Sequence, residues 1–178
     1  MSFKKLAALG AALFSPLLSA CDSGNGPAVV NTFDRGGVWE HVIYAGKSGP
    51  ILVDIHGNPF GIADEMLADN VLLHMTNAIS RRVLHYTANE AEAQAPGIKV
   101  VLLFGADKTA NANRICQGKL PSVQPGEGDK IDVRAVFCSD DQLMSDVEGW
   151  IKGVTGPDDK RFKVLIGDVT RQLFRTNA

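Results

Sequence analysis

The chain lacks most of the local patterns that announce a chemistry. It has no Gly-x-Ser-x-Gly elbow to raise a serine nucleophile, no glycine-rich loop to cradle phosphate, and no glutamate-histidine helix motif for zinc. It lacks an excess of basic charge: 18 Lys and Arg stand against 20 Asp and Glu. A mildly acidic chain makes a poor nucleic-acid ligand, because phosphate contacts need a concentrated basic face. After residue 20 no apolar run approaches the roughly 20 residues that cross a bilayer. Internal repeats and low-complexity stretches are also missing. These absences lean away from an enzyme, and no cofactor or nucleic-acid partner is expected.

What is present begins at the N-terminus. Lys4 and Lys5 give a basic start, Leu6 to Leu18 an apolar core with Pro16 near its end, and Ser19 and Ala20 are small. That pattern predicts an export signal over residues 1–20. The tetrapeptide Leu18-Ser19-Ala20-Cys21 resembles the lipobox of bacterial lipoprotein precursors. The resemblance implies that Cys21 receives a diacylglyceryl group, that the chain is cut before it, and that Cys21 becomes the acylated first residue. The membrane is then a partner through the lipid, at roughly 0.8 kcal/mol per buried methylene. Asp22 resembles the inner-membrane retention signal of enteric bacteria; the choice between inner and outer membrane stays open. Losing Lys4 and Lys5 leaves 16 basic against 20 acidic residues, a charge of −4.

The remaining 158 residues suit one domain with a real core. A polar, turn-rich segment from Asp22 to Pro27 reads as tether, residues 21–32 as lipidated cysteine plus linker, and 33–178 as one periplasm-facing globular domain. With Cys21 lipidated, Cys116 and Cys138 form an even pair in an oxidising compartment, which predicts a disulfide rather than two separate thiols. It would clip the irregular stretch from Gly105 to Asp129.

Val38 to Tyr44 and Ile51 to His56 read as a hairpin around Gly46–Pro50. Ile62 to about Tyr86 reads as a long helix, and Ile98 to Phe104 as a central strand covered on both faces. Ile131 to Cys138 alternates, with Ile131, Val133, Ala135 and Phe137 on one face and Asp132 and Arg134 on the other. Ser139–Gln142 has capping-box spacing ahead of a short helix carrying Leu143, Val147, Trp150 and Ile151. A last helix after Pro157 presents Phe162, Leu165, Ile166, Val169 and Leu173 on one stripe, with Lys160, Arg161, Lys163, Arg171 and Arg175 on its solvated face. The order ββαββαα predicts an α/β (α+β) two-layer sandwich, a small mixed sheet of about four strands under three helices. A right-handed crossover would set the strands at Ile51 and Ile98 parallel. The layout resembles small domains of envelope-assembly and secretion lipoproteins, and of proteobacterial lipoproteins without assigned activity. That resemblance brings no catalytic residues.

Three clusters are candidate sites. On a symmetric hairpin His41 would face Asp54, with His56 on the same face, a donor set that suits zinc in a metal-binding protein or metal-dependent hydrolase; the alternative is a polar face with a His–Asp hydrogen bond. On the long helix Asn70, His74, Asn77, Arg81 and His85 fall on one stripe, either a ligand groove or the one solvated line of a buried helix. In the loop after Gly105, Asp107, Asn111, Asn113 and Arg114 line either a recognition surface or a solvated insertion. The leading expectation is a lipid-anchored, non-catalytic interaction or envelope-assembly accessory domain that contacts an envelope protein.

Overall fold

A computed structural model describes residues 26–124 and 129–175. The expected signal segment, Cys21 and the tether up to residue 25 lie outside the described residues. The chain forms β1 Ala28–Asp34, α1 Val38–Ser48, β2 Ile51–His56, α2 Asp64–Thr76, β3 Tyr86–Thr87, β4 Ile98–Phe104, α3 Ala112–Cys116, β5 Lys130–Ser139, β6 Gln142–Lys152 and α4 Lys160–Phe174. The class is mixed α+β, as expected, but six strands and four helices replace four and three.

The sheet runs β1-β6-β5-β4-β2-β3. β2 is parallel to β4, with Leu52 beside Lys99 and His56 beside Leu103, and also to the short β3. The pairs β4–β5, β5–β6 and β6–β1 are antiparallel. The expected parallel arrangement of the strands at Ile51 and Ile98 is present. β4 is central because nearly every residue is apolar: Val100, Leu102 and Phe104 pack on one side, Val101 and Leu103 on the other. A strand buried on both faces needs such a run.

Helices α1, α2 and α4 cover the first side. The whole expected stripe of α4 is buried: Phe162, Leu165, Ile166, Val169 and Leu173. Burying five such side chains contributes roughly 10 kcal/mol before entropy is counted. Asp159 caps this helix, its carboxylate accepting from Arg161 N–H at 2.8 Å. Gly149 lets α4 approach the sheet closely: a Cβ there would lie 2.8 Å from Val169 and 3.0 Å from Leu165. Phe162 sits among Phe60, Phe104 and His74, with ring centroids 5.0 to 6.1 Å apart.

Four local expectations are corrected. Val38–Tyr44 is not a strand; it belongs to α1, because Val38, Val42 and Ala45 recur at helical spacing and all are buried. Gly49 then stops the helix before β2. The long helix ends at Thr76, where Thr76, Asn77 and Ser80 are weak helix formers, and the apolar residues beyond it, Ala78, Ile79 and Leu84, are buried from non-helical backbone. Ser139–Gln142 is a hairpin turn, with Asp140 at φ 51°, and Leu143–Ile151 belongs to β6. Residues four apart share a face in a strand as well as in a helix, so Val147 and Ile151 fitted either; Leu143, beyond the irregular register at Phe137/Cys138, and Trp150 face the other way. Residues 28–32, expected as linker, belong to β1, which starts at Ala28 and pairs with Trp150.

Candidate functional site

Among the described residues, the second side of the sheet is only half covered. The short helix α3 and the chain around it pack Ala112, Ile115 and Cys116 onto Val101, Leu103, Val136, Cys138 and Leu143. The disulfide Cys116–Cys138 pins this pad to β5, with Cα atoms 5.5 Å apart, as the cysteine count predicted. Asn111 caps α3, its side-chain oxygen accepting from Asn113 and Arg114 N–H at 3.0 and 3.3 Å. Five helical residues reach no further, and the outward positions beyond them are charged.

That uncovered half is a groove of about 420 Å³. Its floor is Asp132, Arg134 and Glu148, with Lys130, Trp150 and Lys152 toward one end and Ala106, Asp107 and Lys108 as a rim. The rim is set by Gly105, at φ +69°, where a Cβ would fall 1.7 Å from the Gln124 carbonyl oxygen, so only glycine fits. Gly105 N–H donates to Asp132 O at 3.0 Å, and Gln124 N–H donates to Gly105 O at 2.9 Å. Asp107 accepts from Thr109 N–H and Oγ1–H at 2.8 and 2.7 Å; the backbone bond first and the hydroxyl second hold its carboxyl below the usual range.

Arg134 is the fixed centre. It donates from Nε and Nη2 to the two oxygens of buried Asp146, at 2.9 and 2.6 Å, and from Nη1 to Ala110 O at 2.6 Å. The bond to Asp146 raises its pKa above the ordinary guanidinium value against the opposing effect of burial. Lys130 Nζ lies 2.6 Å from Asp132 Oδ1 and 5.5 Å from the centroid of the Trp150 ring.

The three clusters anticipated from sequence fare differently. His41 leaves the proposed trio: it lies on α1, its Nδ1 is 3.0 Å from Gly37 O, and it borders a separate surface groove with Glu40, Tyr44 and Asp140. Asp54 and His56 do share one side of β2, with Nε2 and Oδ1 2.8 Å apart. The ring N–H is not aligned on the carboxylate, so Nε2 lacks a hydrogen-bond partner. Lys99 Nζ stands 3.9 Å from the other oxygen of Asp54. Among the described residues no three His, Cys, Asp or Glu side chains converge to hold a metal ion.

The helix stripe is not assembled. Asn70 and Asn77 are spent on their own helix, donating to Met66 O and Leu73 O at 2.9 Å. His74 turns inward, buried against Phe162, with Nε2 3.1 Å from Pro157 O. Arg81 and His85 are exposed beyond the helix end. In the loop cluster, Asp107 reaches the groove, Asn111 serves as a cap, and Asn113 and Arg114 are exposed on α3.

Sequence reasoning missed Lys108, Lys130, Glu148, Trp150 and Lys152. The signal was the alternation of β6, where Asp146, Glu148, Trp150 and Lys152 all fall on the side opposite Val147 and Ile151; a helical assignment hid it. Comparison with known proteins finds no matching family model, no similar curated protein and no similar solved structure.

Proposed function

We propose that this chain is a lipid-anchored protein of the bacterial envelope whose domain binds another envelope component in the groove and performs no catalysis. One observation carries the reading: the fold spends three helices on one side of its sheet and leaves on the other a groove with a rigid arginine and an indole.

Position favours the same reading. β1, the strand that follows the tether, pairs Ala28 with Trp150, so the groove opens beside the point where the tether joins the domain. Seven residue steps separate Cys21 from Ala28, which allows at most about 25 Å between lipid and domain. Tethering of that kind raises the local concentration of a membrane-associated ligand without any extra contact energy.

Palmitate labelling and photo-cross-linking of the intact chain in cells test the two halves. Wild type should take up label and Cys21→Ser should not. A photo-reactive residue at Lys108 should give adducts with an envelope component that the same residue at Tyr44, beside the separate groove that His41 borders, does not. Label on Cys21→Ser overturns the anchor. Adducts from Tyr44 with none from Lys108 overturn the groove.

A further inference from the structure

We propose that the groove takes a neutral, hydroxyl-rich sugar ring laid against Trp150. This deepens the reading of the groove as the binding site and rests on it.

Charge is the first argument. Four cationic side chains line the groove, Lys108, Lys130, Arg134 and Lys152, against three anionic ones, Asp107, Asp132 and Glu148. Counting Asp146, which is bonded to Arg134 beneath the lining, the described residues balance at four of each sign. Two of the four cations are already engaged, Lys130 by Asp132 and Arg134 by Asp146, each at 2.6 Å. A phosphate or other anion would meet no surplus positive field, and a cation no surplus negative one. An apolar ligand would strip water from these groups without replacing its hydrogen bonds. The chemistry left is that of a neutral molecule rich in both donors and acceptors.

Trp150 supplies the second argument. Among the described residues it is the only aromatic side chain lining the groove, and it is half-buried. Lys130 Nζ stands over one face of the ring, 5.5 Å from its centroid, so a sugar ring takes the other face or displaces the ammonium. The C–H face of a sugar ring carries a weaker positive charge of the same sign and satisfies the same quadrupole, while its hydroxyls point to the rim.

Spacing and stiffness complete the case. Outward side chains along β5 and β6 repeat about every 6.5 Å and stand about 5 Å apart across the strands. Acids and bases therefore present donors and acceptors at regular intervals. Three hydrogen bonds fix Arg134 and two fix Asp107, so little side-chain entropy is lost on binding. The volume lies within the range of small-ligand sites, about 300–1,000 Å³.

The full chain in a sugar-free detergent is titrated with chitotetraose, cellotetraose, maltotetraose and inositol hexakisphosphate, each to about 10 mM, where even millimolar affinity registers. Saturation-transfer NMR reads binding. At least one saccharide should bind, with affinity nearly unchanged between about 50 and 300 mM salt, because no net charge is involved. Trp150→Ala should weaken it about tenfold or more, and Trp150→Phe by less, since the π face is kept. Circular dichroism confirms that both variants fold, and the Phe variant serves alone if the Ala variant does not. Failure of all three saccharides overturns the proposal. If inositol hexakisphosphate binds instead, with salt-sensitive affinity that Lys152→Glu abolishes, the groove stands as a site and only the sugar class falls. Saccharide binding that no folded Trp150 variant alters would overturn the placement in the groove as well.

Discussion

The two sides of the sheet use the same strands for opposite purposes. On the helix-covered side Ile131, Val133, Ala135 and Phe137 of β5 are all buried. On the other side β5 presents Lys130, Asp132 and Arg134 and then changes character at Val136 and Cys138. That change within one strand marks where the disulfide-pinned pad ends and the groove begins. One side is dry and holds the fold together. The other is split, half a small apolar pad and half a charged surface whose geometry is fixed by hydrogen bonds.

The contrast predicts where substitutions act. Phe162→Ala empties a site where four aromatic rings meet on the covered side. It should cost about 4 kcal/mol in urea unfolding; a loss under about 1 kcal/mol would mean that this side is not the principal core. On the open side, Asp146→Ala leaves Arg134 without its carboxylate and should cost about 3 kcal/mol, because one member of a largely buried pair is stranded. Ligand binding should fall with it, since the guanidinium is then free to leave the floor. Cys116→Ser with Cys138→Ser opens a loop spanning 22 residues and should cost about 2–3 kcal/mol. Hydrogen exchange should quicken in residues 105–124 and stay slow in α4. Uniform acceleration would show that the pad and the covered side unfold as one unit.

How much of this was legible in the sequence follows the same division. Elements whose pattern admits one period were readable: the apolar run of β4, the strict alternation of β5 and the stripe of α4. Where two periods coincide the reading failed. Val147 and Ile151 suit a strand or a helix, and Val38 to Tyr44 has strand-forming residues at helix spacing. The disulfide followed from counting cysteines and from the expected compartment. The candidate site was harder, because its residues come from β5, β6 and a loop, and only pairing Asp132 with Trp150 and Arg134 with Glu148 brings them together. His41, Asp54 and His56 depended on a hairpin that does not form. His74 and Asn111 are polar for structural reasons, a buried contact to a carbonyl and a helix cap, which spacing alone does not separate from a ligand's donors.

The smallest expected effect lies at the edge of the covered side, where Asp34 ties β1 to the end of α4. Its carboxylate accepts from Gly36 N–H at 2.9 Å and from Arg175 Nε at 2.7 Å. Those contacts, the backbone bond first, hold its pKa below the ordinary value of 3.8. A carboxyl depressed in the folded state contributes stability that is complete above the unfolded value and disappears as pH falls through the folded one. Arg175 is largely exposed, so the contribution is under about 1 kcal/mol. Asp34→Asn should therefore lower the melting temperature slightly at pH 7, and the gap between variant and wild type should close as pH falls from 3.8 through the lowered folded-state value. Asp107 and Asp159 are depressed too, so both proteins weaken in acid, and only the difference between them isolates Asp34. A gap of constant size from neutral pH to pH 2 would show that the carboxylate's charge plays no part in holding β1 to α4.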